Sequence, residues 1–97
     1  MAETYQSLYK NERRAVQIEI DDQYGNGFSP SAAYTSVEDK NGNVIIPEQV
    51  ALVAGNVIRT LIGTSVTSTV GEYRLIWKIL QGNYIYYHLT IIEVQEL

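Results

Sequence analysis

The sequence contains no cysteine, which removes two classes at once. Neither a disulfide framework nor a thiolate-held metal can stabilise the chain, and its absence fits folding in a reducing compartment. No apolar run approaches the ~20 residues that span a bilayer. The opening residues Met1 to Ser7 have neither a basic start nor an apolar stretch, so they do not read as a secretory signal. Positive charge is also scarce. Seven Lys and Arg against eleven Asp and Glu give a net charge of −4. That balance argues against nucleic acid, whose binding rests on cations at phosphates. The one basic cluster, Lys10, Arg13 and Arg14, is interrupted by Glu12 and reads as a solvated strand entrance.

What is present is a single domain's worth of chain, 97 residues with 45% hydrophobic content. Its apolar residues lean towards Ile, Val and Tyr, with Thr beside them, which favours strands. Residues 1–12 are polar and aperiodic and read as an N-terminal arm. If the arm docks on a neighbour, Tyr5, Leu8 and Tyr9 are its anchors. Residues 13–97 read as the folded domain.

From Arg14 onward Val16, Ile18 and Ile20 alternate with Gln17 and Glu19, the mark of a half-buried strand. The stretch Asp21 to Gly27 breaks it with turn residues. A weaker alternation carries Val37 to one face, and Asp39 to Asn43 holds an Asn-Gly hairpin signal. Val44 to Ile46 returns as a short strand that Pro47 is expected to stop. Residues 49–53 add at most a brief strand, and 56–62 read as another with both faces apolar. Thr- and Ser-rich residues 63–70 read as a crossing loop. No helical period persists, so short strands at even spacing point to a β-sandwich or barrel.

The last two strands are the richest. A three-residue loop, Gln81-Gly82-Asn83, would set Leu80 opposite Tyr84. One face then collects Tyr73, Leu75, Trp77, Ile79, Ile85, Tyr87, Leu89 and Ile91, expected to lie in the core. The other collects Ile76, Leu80, Tyr84, Tyr86 and His88, an apolar and aromatic stripe expected to face a partner. A bulge near Ile91 would turn Ile92 and Val94 inward.

Catalytic and metal motifs are lacking. His88 is the sole histidine and has no evident acid or nucleophile beside it. There is no Gly-x-Ser-x-Gly elbow and no phosphate cradle. An EF-hand counted from Asp22 fails at its third and twelfth positions, Tyr24 and Ala33. A surface calcium site would have to draw on Asp21, Asp22 or Asp39, which turn formation explains better. No enzyme and no cofactor are expected.

The run Thr69-Val70-Gly71-Glu72-Tyr73-Arg74-Leu75 resembles the entry to strand F of immunoglobulin domains. Tyr73 stands at the corner position, and Leu75 where cysteine is usual. A longer order of motifs resembles the Ig-like domains of tailed-bacteriophage virion proteins, notably the N-terminal domain of upper baseplate proteins. It comprises Val16-x-Ile18-x-Ile20-Asp21, Tyr24-Gly25-Asn26, Val37 to Val44 with its Asn-Gly, Gly71-Glu72-Tyr73, and Ile92-x-Val94. This chain departs from that pattern at Gly27, where proline is common, and over residues 47–55.

The resemblance implies an all-β, immunoglobulin-like antiparallel sandwich of about seven strands. It further implies a non-enzymatic structural protein of a virion (baseplate, neck, tail or capsid surface), made in the host cytoplasm. Its partners would be other virion proteins and further copies of itself, with neither nucleic acid nor membrane. A small carbohydrate- or surface-binding Ig-like module is the alternative.

Overall fold

The computed structural model describes residues 2–21 and 24–97. Eight strands and one short helix follow in order. They are β1 (Ala2–Tyr9), β2 (Arg14–Glu19), β3 (Ala32–Asp39), β4 (Val44–Val50), β5 (Leu52–Ala54), β6 (Val57–Ile62), α1 (Thr64–Thr67), β7 (Gly71–Gln81) and β8 (Tyr84–Gln95). They form two sheets, β1-β8-β7-β3-β4 and β2-β6-β5. All pairings are antiparallel except that of β1, which runs parallel to β8.

The alternation read at β2 is confirmed, with Val16 and Ile20 buried and Ile18 packed against them. In β6 the phase that sequence left open resolves as Ile58, Thr60 and Ile62 inward. From the larger sheet come Ala33, Val37, Tyr73, Leu75, Trp77, Ile79, Ile92 and Val94. Trp77 is fully buried at the centre, and burial of a side chain of this size contributes up to about 3 kcal/mol. The crossing loop between sheets holds the four-residue helix α1.

Three expectations are corrected. Pro47 does not stop β4, which continues to Val50. β4 is an edge strand, where proline costs no ladder bond, and its register against β3 shifts between Thr35 and Val37. Residues 2–9 of the expected arm are strand β1, fixed at the edge of the larger sheet rather than reaching outward. Leu8, an expected anchor for a neighbour, is 2% exposed beside Val94 in the chain's own core.

The third correction concerns the last hairpin. Its loop is Gly82-Asn83 alone, so Gln81 faces Tyr84 and every β8 residue lies one step from the expected position. Gly82 carries φ +59 at the first central position, as in a type II′ hairpin turn. The β7 half of the reading stands, with Tyr73, Leu75, Trp77 and Ile79 buried. The β8 half inverts. Tyr87 is 51% exposed and Leu89 half-buried on the outer face, while Thr90, Ile92 and Val94 are inside. Ile92 and Val94 need no bulge, because the register runs unbroken from Gly71–Val94 to Gln81–Tyr84.

The corner tyrosine behaves as its position implies. Tyr73 donates its hydroxyl proton to the carbonyl of Thr69 at 2.8 Å, tying the crossing loop to the sheet. Gly27 also has a reason for its type. A Cβ there would come within 2.6 Å of the Asn56 side chain, so the loop packs where a larger residue would push Asn56 aside.

Candidate functional site

The two sheets differ in length, and the difference makes the site. β2 and β6 have six residues each, β7 eleven and β8 twelve. The tip of the β7–β8 hairpin therefore projects past the smaller sheet. Along β8 the burial changes accordingly: Tyr84, Ile85, Tyr86 and Tyr87 are all exposed, and full burial begins only at Thr90.

Cross-strand partners share a face, so the register assigns each side chain of the tip. Tyr86 stands opposite Ile79 and His88 opposite Trp77, hence on the inner face. Tyr84, opposite Gln81, completes that row. Tyr86 and His88 of this row, with Ile79 and Gln81 of β7 and with Tyr87 at the border, form one wall of an open cleft of about 900 Å³. Ile18 to Asp21, Tyr24 and Phe28 form the other wall. The Tyr84 and Tyr86 rings lie 6.4 Å apart between centroids and 28° from parallel. Phe28 approaches Tyr86 from the opposite wall at 6.4 Å and 59°.

A chain of hydroxyls links this cleft to the core. Trp77 Nε1 donates to Thr90 Oγ1 at 2.9 Å, and Thr90 and Thr4 hydroxyls bond at 2.7 Å. Thr4 Oγ1 then meets His88 Nε2 at 3.1 Å. The tautomer of a neutral His88 decides which of the two donates in that bond. Partial burial disfavours the imidazolium and holds the His88 pKa below its ordinary value.

The outer face of the same tip is a different surface. Leu80 pairs with Ile85, Lys78 with Tyr87, Ile76 with Leu89, and Arg74 with Ile91. Ile85 is 54% exposed and Tyr87 51%. Tyr5 of β1 lies beside Ile91, outward, and Tyr9 is exposed farther along the same strand. Hydrogen bonding to the Glu3 carboxylate keeps the Tyr5 hydroxyl protonated to higher pH than usual. On the β3 side, the Lys78 ammonium lies 6.0 Å from the Tyr34 ring centre and 3.9 Å from the Glu48 carboxylate.

The expected partner stripe thus divides in two. Ile76 and Leu80 are on the outer face as anticipated, joined by Ile85 and Tyr87. Tyr84, Tyr86 and His88 lie on the inner face instead, and Tyr86 and His88 line the cleft. The overlooked signal was the dipeptide Gly82-Asn83, which by itself reads as a two-residue hairpin turn. The candidate calcium ligands do not converge. Asp39 lies opposite Tyr73, near one end of β7, and Asp21 lines the cleft with Gln81 at the other. At the rise of a strand, eight residues separate those ends by about 27 Å. Asp39 instead accepts bonds from Asn41 and Asn43 in its own turn, chiefly the Asn43 side chain, and its pKa is lowered by them. Asp22 falls outside the described residues.

No protein-family model and no curated protein sequence matches the chain. Solved structures do. A structure of the CBM51-2 and INT domains from Clostridium perfringens ZmpB superposes with a TM-score of 0.58 at 18% identity. The match covers 95% of this chain and 19% of that one, so this chain spans about a fifth of its length. A protein described as an IG27 protein domain superposes at 0.54 with 14% identity, covering 97% of this chain and 91% of that one. At such identities the likeness concerns the fold. The chain is an all-β, immunoglobulin-like sandwich.

Proposed function

We propose that this chain is a non-catalytic Ig-like module that works by contact, the outer face of its larger sheet meeting further copies of the same chain. The reading rests on Ile85 and Tyr87, large side chains about half exposed in a row with Leu80, Ile76, Leu89 and Ile91. A contiguous apolar face of this kind on a small domain marks contact. Tyrosine suits such a face, since its ring is apolar and its hydroxyl still finds a partner. Charge of each sign borders the row away from the tip, Arg74 beside Ile91 and Glu93 beyond it, while Lys78 within the row reaches sideways to Glu48. Against catalysis stands the setting of His88: its Nε2 meets a threonine hydroxyl, and among the described residues no carboxylate bonds the ring.

Within this class the order of turn motifs favours a structural subunit of a tailed-phage particle, meeting other virion proteins. Neither solved structure named above is described as a virion protein, so that finer role rests on the motifs alone.

The test is self-association across a concentration series in the analytical ultracentrifuge. The wild-type protein should associate reversibly through an interface of more than about 1,000 Å². Ile85→Lys should stay monomeric with an unchanged circular dichroism spectrum. A wild type that remains monomeric throughout, or an Ile85→Lys variant that still associates, defeats the reading.

A further inference from the structure

The cleft at the hairpin tip meets the outer face at Tyr87 and has its own chemistry. Its deep end is apolar, built from Ile20 and Ile79. One wall carries the Tyr86 ring, which Phe28 faces from the other wall and against which Tyr84 stacks from outside the cleft. Polar groups surround the rings: His88, Gln81 and the exposed Asp21. Among the described residues that line it there is no lysine or arginine, whereas two carboxylate residues, Glu19 and Asp21, do.

We propose that this cleft binds a neutral saccharide, with a pyranose ring laid against the Tyr86 ring. A pyranose presents C–H bonds on one face and hydroxyls around its rim. It therefore needs an aromatic surface and hydrogen-bonding groups beside that surface. Tyr86 and Phe28 supply the first. The His88 imidazole, the Gln81 amide and the Asp21 carboxylate supply the second, the first two as donor or acceptor and the last as acceptor. The size is suitable, since small-molecule sites span roughly 300–1,000 Å³.

Charge selects within the class. Sialylated, sulfated and phosphorylated ligands would bring an anion to a site with two carboxylate residues and no cation. A wholly apolar segment would strip water from His88 and Gln81 with nothing to replace it. A neutral, hydroxyl-rich ring avoids both penalties.

The experiment is a glycan array holding neutral, sialylated and sulfated glycans, probed with the full chain, followed by titration of any hit under NMR. The expected result is saturable binding of a neutral glycan, with resonances of Tyr86, His88 and Phe28 shifting. Tyr86→Ala should weaken that binding by about tenfold or more, the ~1.4 kcal/mol of one well-placed ring, while Tyr86→Phe retains it. Tyr84→Ala, at a more exposed position, should weaken it as well and guards against a folding defect at Tyr86. Binding confined to anionic glycans, no neutral glycan bound, or wild-type affinity in both alanine variants overturns the proposal. Ile85→Lys separates the two surfaces. It should lose self-association and keep the glycan. Loss of self-association with no glycan ever bound removes the saccharide site and leaves the contact reading intact.

Discussion

The two halves of β8 have nearly the same character and opposite fates. Tyr84-Ile85-Tyr86-Tyr87 is as apolar and aromatic as any stretch of the chain, yet all four residues are exposed. Farther along, Thr90, Ile92 and Val94 are buried, although one of them carries a hydroxyl. Composition does not separate them. What does is the element across the sandwich: the six-residue strands of the smaller sheet cover the second half and end before the first. A strand's own pattern says which residues share a face. Whether that face is core depends on how far the opposite sheet extends.

The difference can be broken from the buried side first. Trp77→Ala removes the largest fully buried side chain and should cost about 3–5 kcal/mol in urea unfolding. Thr90→Val comes next. It keeps the shape but leaves the Trp77 indole N–H buried without an acceptor, for a loss of about 1–3 kcal/mol. A smaller effect should appear with pH. His88 has a folded-state pKa below the unfolded one, so the folded state binds fewer protons as the solution acidifies. Stability should therefore fall as pH drops from the ordinary imidazole value of about 6.5 through the lowered one, and stay flat in this respect above it. His88→Gln should remove that dependence between pH 7 and 5, leaving only the carboxylate contribution at lower pH. An unfolding free energy that declines equally in both proteins across this interval would show that His88 is not the group responsible.

β7 was legible in the sequence because charge marks its outer face. Glu72, Arg74 and Lys78 alternate with Tyr73, Leu75, Trp77 and Ile79, and only one phase buries no charge. β8 offers only one such marker, Glu93 near its far end. Towards the tip both of its faces are apolar, and its central polar residues His88 and Thr90 point inward, Thr90 receiving the Trp77 proton. Hydrophobic pattern could not choose between two registers, and the turn chose. Gly82 at positive φ closes the hairpin in two residues, and a third residue in the loop inverts everything beyond it. The corner at Tyr73 was legible for the opposite reason, since its bond to Thr69 is local to the chain.

Strand β1 was hidden by its polarity. Of its side chains only Leu8 is fully buried, while Thr4 is held by the hydroxyl chain from Trp77. Its hydrogen-bonding partner β8 is more than 80 residues away, which no local period can reveal. The cleft was hidden for a related reason. Tyr86, Phe28 and Asp21, far apart in sequence, meet only where the smaller sheet gives way to its loop.

The central claim is that the tip of the hairpin serves contact and not the core. It is tested most directly by the unfolding free energy of Ile85→Thr/Tyr87→Thr, measured at protein concentrations low enough to keep the wild type monomeric. Threonine preserves strand preference, and the positions are exposed. The account predicts a value within about 1 kcal/mol of the wild type. A loss of about 3 kcal/mol or more would place Tyr87 in the core and contradict it.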